Sequence, residues 1–266
     1  MKKLFLLILL GIVTSCEEVV EVDLETSAPR LVVEASLVWN PALEENVQYI
    51  LLTTTAPFFD DEVPPALDAN VSVFDQNGEE YVFTEIEDGI FQNSEIEPVP
   101  GMTYELVLSY EGEVYTASEK YVTAPQLEFV EQKNDGGFDG EEIELKAYYT
   151  DPAETEDYYL FKFYHDQLAL QIYDDEFTNG NRTFAFYSDE DLESGDSVGF
   201  EIQGISEDFY EYMFILRSQA GTSNGGPFQT QPTIVRGNIV NTTNPDNFAF
   251  GYFRLSQADF FGYELE

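Results

Sequence analysis

Cysteine and histidine are almost missing from this chain, which has one of each. The single cysteine, Cys16, has no partner for an intramolecular disulfide. The single histidine, His165, excludes a zinc site built on two or more imidazole ligands. We expect His165 to be a surface or hydrogen-bonded residue rather than a catalytic one. No motif points to a cofactor.

Basic residues are also scarce, with 11 Lys and Arg against 52 Asp and Glu and a formal net charge of −41. A surface this acidic repels nucleic acid and anionic lipid head groups and favours cations, cationic peptides and neutral ligands. Simple solubility at a charged cell surface explains the same composition. Disorder does not, because aromatic residues make up 15% of the chain.

Long hydrophobic runs are lacking, since the apolar run at residues 4–10 is well short of the roughly 20 residues of a spanning helix. A basic start, this short run and the small residues that follow are typical of a secretory signal. Val13-Thr14-Ser15-Cys16 resembles the lipobox of bacterial lipoproteins. We therefore expect residues 1–15 to be a signal peptide and Cys16 to carry the lipid that anchors the protein to a membrane.

An acidic stretch follows the cysteine, and we interpret residues 16–29 as a polar tether. It resembles the acidic residues that direct lipoproteins of Bacteroidetes to the outer face of the outer membrane. A plain solvated linker would have the same composition. The expected location is the cell surface, with the protein lipid-anchored in the outer membrane.

From Arg30 the apolar pattern has period two, with turn residues every 8 to 12 positions, which predicts an all-β fold. Residues 30–124 are expected to form an immunoglobulin-like β-sandwich. Residues 125–266 are expected to form a C-terminal antiparallel β domain, either a sandwich or a partly open barrel. One helix is predicted near residues 207–218, where Ser206 precedes two acids and an apolar repeat of helical spacing.

The candidate site for a hard cation such as calcium is the group Asp174, Asp175, Glu176 and Asn179. Carboxylate and amide oxygens are suitable calcium ligands, but the spacing does not fit an EF-hand loop, and a structural turn is the simpler interpretation. If a ligand site exists, we expect it on the loops at residues 57–68 or 221–231. Ordinary connecting loops have the same composition.

The sequence motifs give little support to an enzymatic function. Residues 221–225 fit G-x-S-x-G, but glycine and proline follow the serine and the histidine comes earlier in the chain, so a hydrolase elbow is rejected. A carboxylate-based glycosidase stays open as an alternative, although the sequence cannot single out a catalytic pair among so many acids.

Several short motifs together resemble an uncharacterised family of Bacteroidetes outer-membrane lipoproteins, a domain of unknown function. They are P-R-L-V-V-E-A at residues 29–35, G-x-T-Y-x-L at 101–106, G-x-V-Y-x-A at 112–117, D-D-E-F-x-N-G at 174–180, I-S-E-D-F-Y-x-Y at 205–212, G-N-I at 237–239 and G-Y-F at 251–253. Members are typically encoded beside TonB-dependent receptors of the SusC type. The resemblance implies no catalytic residues, and it implies such a receptor as partner.

The expected function is therefore a non-catalytic accessory of a TonB-dependent outer-membrane transporter, which captures or covers a ligand of unknown identity. A glycosidase is one alternative. A surface adhesion or envelope-structure protein is the other.

Overall fold

A computed structural model describes residues 28–57, 60, 62–136, 140, 142–220 and 233–266. Cys16, the signal peptide and most of the tether lie outside the described residues. The loop at 221–231, with its G-x-S-x-G match, and part of the loop at 57–68 also lie outside them. Within the described part of the chain, no helix has the length and apolar character needed to cross a membrane.

The described residues form fifteen strands and one helix. In chain order these are β1 Leu31–Trp39, β2 Gln48–Thr54, β3 Asn70–Asp75, β4 Glu80–Glu87, β5 Ile90–Asn93, β6 Thr103–Tyr110, β7 Glu113–Lys120, β8 Leu127–Gly136, β9 Glu142–Thr150, β10 Tyr158–Tyr164, β11 Leu168–Asp174, β12 Arg182–Ser188, β13 Ser197–Ile205, α1 Glu207–Ala220, β14 Val240–Asn241 and β15 Phe250–Glu264.

The first sandwich is one sheet that folds over on itself at β4. The first half of β4 pairs with β3 and the second half with β5, with a register shift between Glu85 and Glu87. One layer is then β15-β1-β2-β5 and the other is β4-β3-β6-β7-β14. Alternation along β1 sends Val33, Ala35 and Leu37 into the core between the layers, where all three are buried.

The second sandwich packs the layer β11-β10-β13-β15 against the three-stranded sheet β12-β9-β8. Its core is aromatic, with Phe161 and Phe163 stacked at 6.1 Å and Phe163 edge-on to Phe200 at 5.7 Å. All three rings are fully buried. Aromatic side chains bury large areas, so a few of them fill the space between two short sheets.

The long strand β15 joins the two sandwiches. Its first half pairs in parallel with β1, from Val32 with Phe250 to Trp39 with Gln257. Its second half pairs antiparallel with β13. A strand of 15 residues spans about 50 Å, so one continuous backbone runs through both sheets.

The structure confirms the predicted all-β class, with sandwich-like sheets, one helix and no closed barrel among the described residues. The helix ends at Ala220 and not at residue 218. The apolar pattern of residues 233–241 also predicts a strand, but only Val240 and Asn241 form one, as β14; β8 has no such pattern and was not predicted. The expected division at residues 124 and 125 falls between β7 and β8, although β14 and the first half of β15 pair within the first sandwich.

Candidate functional site

A cleft lies where the two sandwiches meet. Its walls are the link between β7 and β8 (residues 121–125), the loop before β10 (residues 152–157), Tyr158 and the start of α1, and its volume is about 620 Å³. Ligand pockets commonly have volumes of about 300–1,000 Å³ and occur at domain interfaces. We therefore treat this cleft as the candidate ligand site.

The walls of the cleft are strongly acidic. Glu154, Glu156, Asp157 and Glu207 line it, and Lys120 is the one basic residue among its described lining residues. Opposite charges attract with an energy that grows as water is excluded. The cleft therefore selects cationic or neutral ligands over anions.

Three carboxyl groups meet at the edge of this cleft. Asp151, Asp157 and Asp175, which we call the acid trio, have carboxylate oxygens within 4.8 Å of one another. Asp151 follows β9, Asp157 precedes β10 and Asp175 follows β11. The antiparallel pairing of β10 with β11 and the packing of β9 against them bring these strand ends together.

Hydrogen bonds hold the two fully buried members of the trio in place. The hydroxyl of Tyr159 and the backbone N–H of Gly180 donate to Asp151 over 2.7 and 2.9 Å. The side-chain amide of Asn179 donates to Asp175 over 3.1 Å. Asp151 and Asp175 are each only 2% exposed. Asp157 is less buried and is the member that lines the cleft.

The environment changes the proton affinity of Asp157 and of the neighbouring Tyr159. Burial raises the pKa of Asp157, and the neighbouring negative charges of Asp151 and Asp175 raise it further, against the effect of the hydrogen bond from Thr155. Burial and the bond to Asp151 raise the pKa of Tyr159, which keeps its hydroxyl a donor. A cation placed among the three carboxylates would relieve their repulsion.

Calcium would suit the chemistry of the acid trio, since it prefers oxygen ligands and takes six to eight of them. The trio supplies three carboxylates, so further oxygens from backbone or water would have to complete a calcium shell. The trio by itself therefore supplies only part of a calcium site.

One protein family matches this chain over most of its length. The family described as a domain of unknown function, DUF4249, matches residues 17–259. The chain belongs to this family. The match agrees with the domain of unknown function that the sequence motifs suggested. None of the curated proteins compared with the chain matches it.

Two solved structures resemble the DUF4249 chain at low identity. A two fibronectin type-III domain segment from chicken tenascin is 14% identical over 69% of this chain and 90% of that one, with a TM-score of 0.23. A cytokine receptor complex in crystal form 1A is 11% identical over 65% and 82%, with a TM-score of 0.26. TM-scores this low carry no argument, so the sandwich assignment rests on the strand pairing.

The four residues proposed from sequence as a cation site are divided in the DUF4249 structure. Asp175 belongs to the trio, and Asn179 binds both Asp175 and the carbonyl of Thr155. Asp174 instead accepts a hydrogen bond of 3.0 Å from the hydroxyl of Tyr210 on α1. Glu176 is exposed. The proposal of a calcium site therefore stays a prediction, now centred on Asp175.

Sequence reasoning missed Asp151 and Asp157. The signal that could have revealed them is the acidic segment D-P-A-E-T-E-D between two predicted strands, because a short connection keeps the ends of those strands close together. His165 lies 3.5 Å from a carboxylate oxygen of Asp196, away from the cleft residues. The described part of the loop at 57–68 is held to β2, because Ala66 donates to the carbonyl of Leu52.

One exposed apolar surface lies near the cleft, on α1. Phe214 is 61% exposed, Ile215 44% and Leu216 38%. The opposite side of the helix packs inward, with Phe209 edge-on to Tyr252 at 4.9 Å. We call Phe214, Ile215 and Leu216 the helix patch. Consecutive residues of a helix point about 100° apart, so these three side chains spread around the exposed side of α1, and exposed apolar side chains are typical of an interaction surface.

Proposed function

We propose that this DUF4249 protein is a lipid-anchored, surface-exposed outer-membrane protein that serves a TonB-dependent transporter as a non-catalytic accessory subunit. It captures or covers a ligand in the cleft between its two sandwiches. The observation that carries the proposal is that cleft, with its volume of about 620 Å³ and its acidic walls.

The charge of the cleft defines the class of ligand. Four acids and a single basic residue, Lys120, line the described walls, so a cationic solute would be concentrated there, a neutral one admitted and an anion repelled. The acid trio at the edge adds further negative potential. An open cleft of this kind suits capture and release better than tight sequestration.

The helix patch supports the second part of the proposal, the protein partner. α1 begins at the cleft, where Glu207 is one of the lining residues, and continues to the exposed Phe214, Ile215 and Leu216. A transporter that covered this patch would therefore hold the ligand cleft close to its own entrance. Burying three large apolar side chains contributes on the order of 3–6 kcal/mol before the costs of association.

A carboxylate-based glycosidase is the second candidate, because the trio places Asp157, whose pKa is raised, beside Asp175. Retaining glycosidases use two carboxyl groups about 5 Å apart. Asp151 and Asp175 are only 2% exposed, however, so a sugar ring could reach Asp157 alone. This burial favours a binding role, and hydrolysis of a glycan by the wild type but not by Asp157→Asn would reverse that preference.

The experiment compares two phenylalanine variants of the tagged protein, purified from solubilised outer membranes of its host. Phe214→Ser removes an anchor of the helix patch. Phe177→Ser is the matched control, since Phe177 is 88% exposed on a loop before β12. We expect a TonB-dependent receptor, identified by mass spectrometry, to copurify with the wild type and Phe177→Ser and to be at least tenfold depleted with Phe214→Ser.

The contrary results are equally specific. No receptor with the wild type would contradict the accessory role and favour the adhesion alternative if host or matrix material copurified instead. Equal recovery with all three proteins would show that the receptor binds elsewhere than on the helix patch.

A further inference from the structure

Two arginines hold one phenylalanine ring between them at the start of the first sandwich. The guanidinium carbon of Arg30 lies 3.8 Å from the centroid of the Phe248 ring, and that of Arg236 lies 3.6 Å from it. Two guanidinium groups cannot share one ring face at these distances, so they lie on opposite faces. We call this the Arg30–Phe248–Arg236 stack. Cation–π contacts of this kind stabilise the arrangement despite the like charges.

Backbone contacts hold the Arg30 side chain in place. Its Nη1 donates to the carbonyls of Asp246 and Phe248 over 3.2 and 3.3 Å. Its backbone N–H donates to the hydroxyl of Thr55 over 3.0 Å. Nη2 and Nε of the guanidinium make no hydrogen bond to a described residue, so within the described part of the chain their donors are open to a ligand.

The segment that carries Arg236 is equally fixed. Asn238 donates to the carbonyl of Phe253 and accepts from its backbone N–H, over 2.8 and 2.9 Å. Gly237 packs so closely on β15 that an added Cβ would lie 1.6 Å from the carbonyl oxygen of Gly251. A side chain at position 237 would push the segment away. Because position 237 carries no side chain, the segment lies close against β15, and Arg236 lies beside Phe248.

Neither guanidinium of the stack has a carboxylate partner among the described residues. The ion pairs among the described residues involve other basic side chains, such as Arg182 with Glu128 at 2.8 Å. Arg236 also donates no hydrogen bond to any described residue, although the chain has 52 acidic side chains. Arg236 is thus held in place without a hydrogen-bonding or ionic partner in the described part of the chain, which leaves its donors open to an external anion there.

We propose that the Arg30–Phe248–Arg236 stack binds a phosphate group. Arginine presents a planar fork of donors that matches phosphate and carboxylate oxygens. A carboxylate has two oxygens and is satisfied by one fork, whereas a phosphate monoester has three terminal oxygens and can contact both guanidinium groups at the edge of the ring. The pair therefore selects phosphate.

The position of the stack indicates a lipid head group as the source, which rests on the lipid anchor of the proposed function. β1 and β15 are parallel and both begin at this end, whereas the second sandwich follows the other end of β1. Cys16 precedes Arg30 by 14 positions, so the chain between them spans at most about 50 Å. The stack thus lies at the end of the described body where the chain from the anchor enters it.

The net charge of −41 works against approach to an anionic surface but not against contact through this stack. Exposed charges are screened beyond about 8 Å at physiological ionic strength. The anchor also keeps the stack at high local concentration beside the head groups. Under these conditions a weak site suffices, and it orients the acidic body away from the membrane.

The test uses the mature chain, residues 16–266, with Cys16→Ser so that no acyl chain contributes. Sedimentation with phosphatidylcholine vesicles containing about 30 mol% phosphatidic acid is compared with phosphatidylcholine alone, and inorganic phosphate is titrated separately by calorimetry. Each arginine near a membrane surface contributes roughly fivefold in binding. We expect Arg236→Gln and Arg30→Gln each to weaken binding to phosphatidic acid about fivefold, and Arg217→Gln, which removes the same charge from the exposed end of α1, to change it less than twofold.

An arginine-dependent loss in the vesicle arm supports a lipid source, and the same loss only with inorganic phosphate supports the phosphate site with a soluble source. Unchanged binding by Arg236→Gln in both arms, or no binding by the wild type in either, overturns the proposal. Arg236 is exposed, and among the described residues its guanidinium makes a cation–π contact with Phe248 and no hydrogen bond or ion pair, so this variant is expected to fold as the wild type does. Because neither acylation nor a transporter is present, failure here is separate from failure of the proposed function.

Discussion

Replacing Arg254 with methionine should destabilise the protein by about 2–4 kcal/mol and uncouple the two sandwiches. Arg254 lies on β15 and is only 4% exposed. It donates to Ser36 on β1 over 3.1 Å, to Ser256 over 2.5 Å and to Gln203 on β13 over 2.7 Å. Its guanidinium also lies 4.7 Å from the ring centroid of Phe209 on α1. One side chain thus links both sandwiches and the helix.

Two opposing effects determine the size of the change. Burial lowers the pKa of Arg254 to about 10, so removing the charge relieves a desolvation cost. Methionine has a similar volume but leaves the fully buried Gln203 without its donor, and each unsatisfied buried group costs about 1–3 kcal/mol. The loss of three charged hydrogen bonds and the contact with Phe209 exceeds the relief. We therefore expect net destabilisation.

The double variant Arg254→Met with Gln203→Met isolates the unpaired acceptor. Since it removes donor and acceptor together, we expect it to be about 1–2 kcal/mol more stable than the sum of the single changes predicts. Urea unfolding measures all four proteins by linear extrapolation. Trp39, the single tryptophan, packs against the first core and reports only on the first sandwich, whereas circular dichroism reports on both.

We expect the two signals to coincide for the wild type and to separate for Arg254→Met. A variant as stable as the wild type, with coincident transitions, would refute the reasoning, since the cost of burying the charge would then outweigh the hydrogen bonds.

Four further predictions each concern a single residue. Side-chain hydrogen bonds, of which the one from Asn244 has the largest effect, lower the pKa of Glu113 to about 2. The stabilisation from the ionised Glu113 is present above the unfolded pKa and is lost as the pH falls towards 2. The difference in melting temperature between the wild type and Glu113→Gln should therefore shrink in acid. Asp157→Asn removes repulsion and should raise stability by ~1 kcal/mol, roughly 2–4 °C, at neutral pH but not in acid, and calcium should raise the melting temperature of the wild type more than that of the variant. Gly251→Ala should cost at least about 2 kcal/mol in urea unfolding, because Gly251 has φ +96° and an added Cβ would lie 1.9 Å from a β1 carbonyl oxygen. Cys16→Ala should move the protein from the membrane to the soluble fraction on cell fractionation.

The local pattern predicted the first sandwich well because its turns have specific chemistry. Gly78 has φ +87° in the hairpin between β3 and β4, and Glu111 and Gly112 have φ +50° and +79° between β6 and β7. Asn-Gly and similar pairs adopt these conformations easily, so the turns fix the neighbouring strands. Alternating apolar residues then determine which face is buried.

The elements that were missed depend on distant parts of the chain. β8 is an edge strand with most side chains exposed or half-buried on both faces, so its polar, charged sequence carries no apolar alternation. Residues 233–239 contain β-branched side chains, yet Asn238 binds β15 through its side chain instead of extending a sheet. The parallel pairing of β1 with β15 joins residues more than 200 positions apart. No local pattern specifies such a pairing.

The candidate site likewise combines residues that a local motif reveals with residues that only the fold brings together. Asp175 and Asn179 stood out in sequence because they are adjacent to a glycine turn. Asp151 and Asp157 gain significance only when β9, β10 and β11 bring them beside Asp175. The cleft depends on how two sandwiches meet, which composition and spacing do not encode.

The most direct test of the account is purification of the untagged protein from the outer membrane of its own host, followed by mass spectrometry of the N-terminus and of copurifying proteins. The account predicts an acylated Cys16 as first residue and a TonB-dependent receptor in near-equal amount. An unmodified N-terminus on a protein recovered alone from the soluble fraction would contradict it.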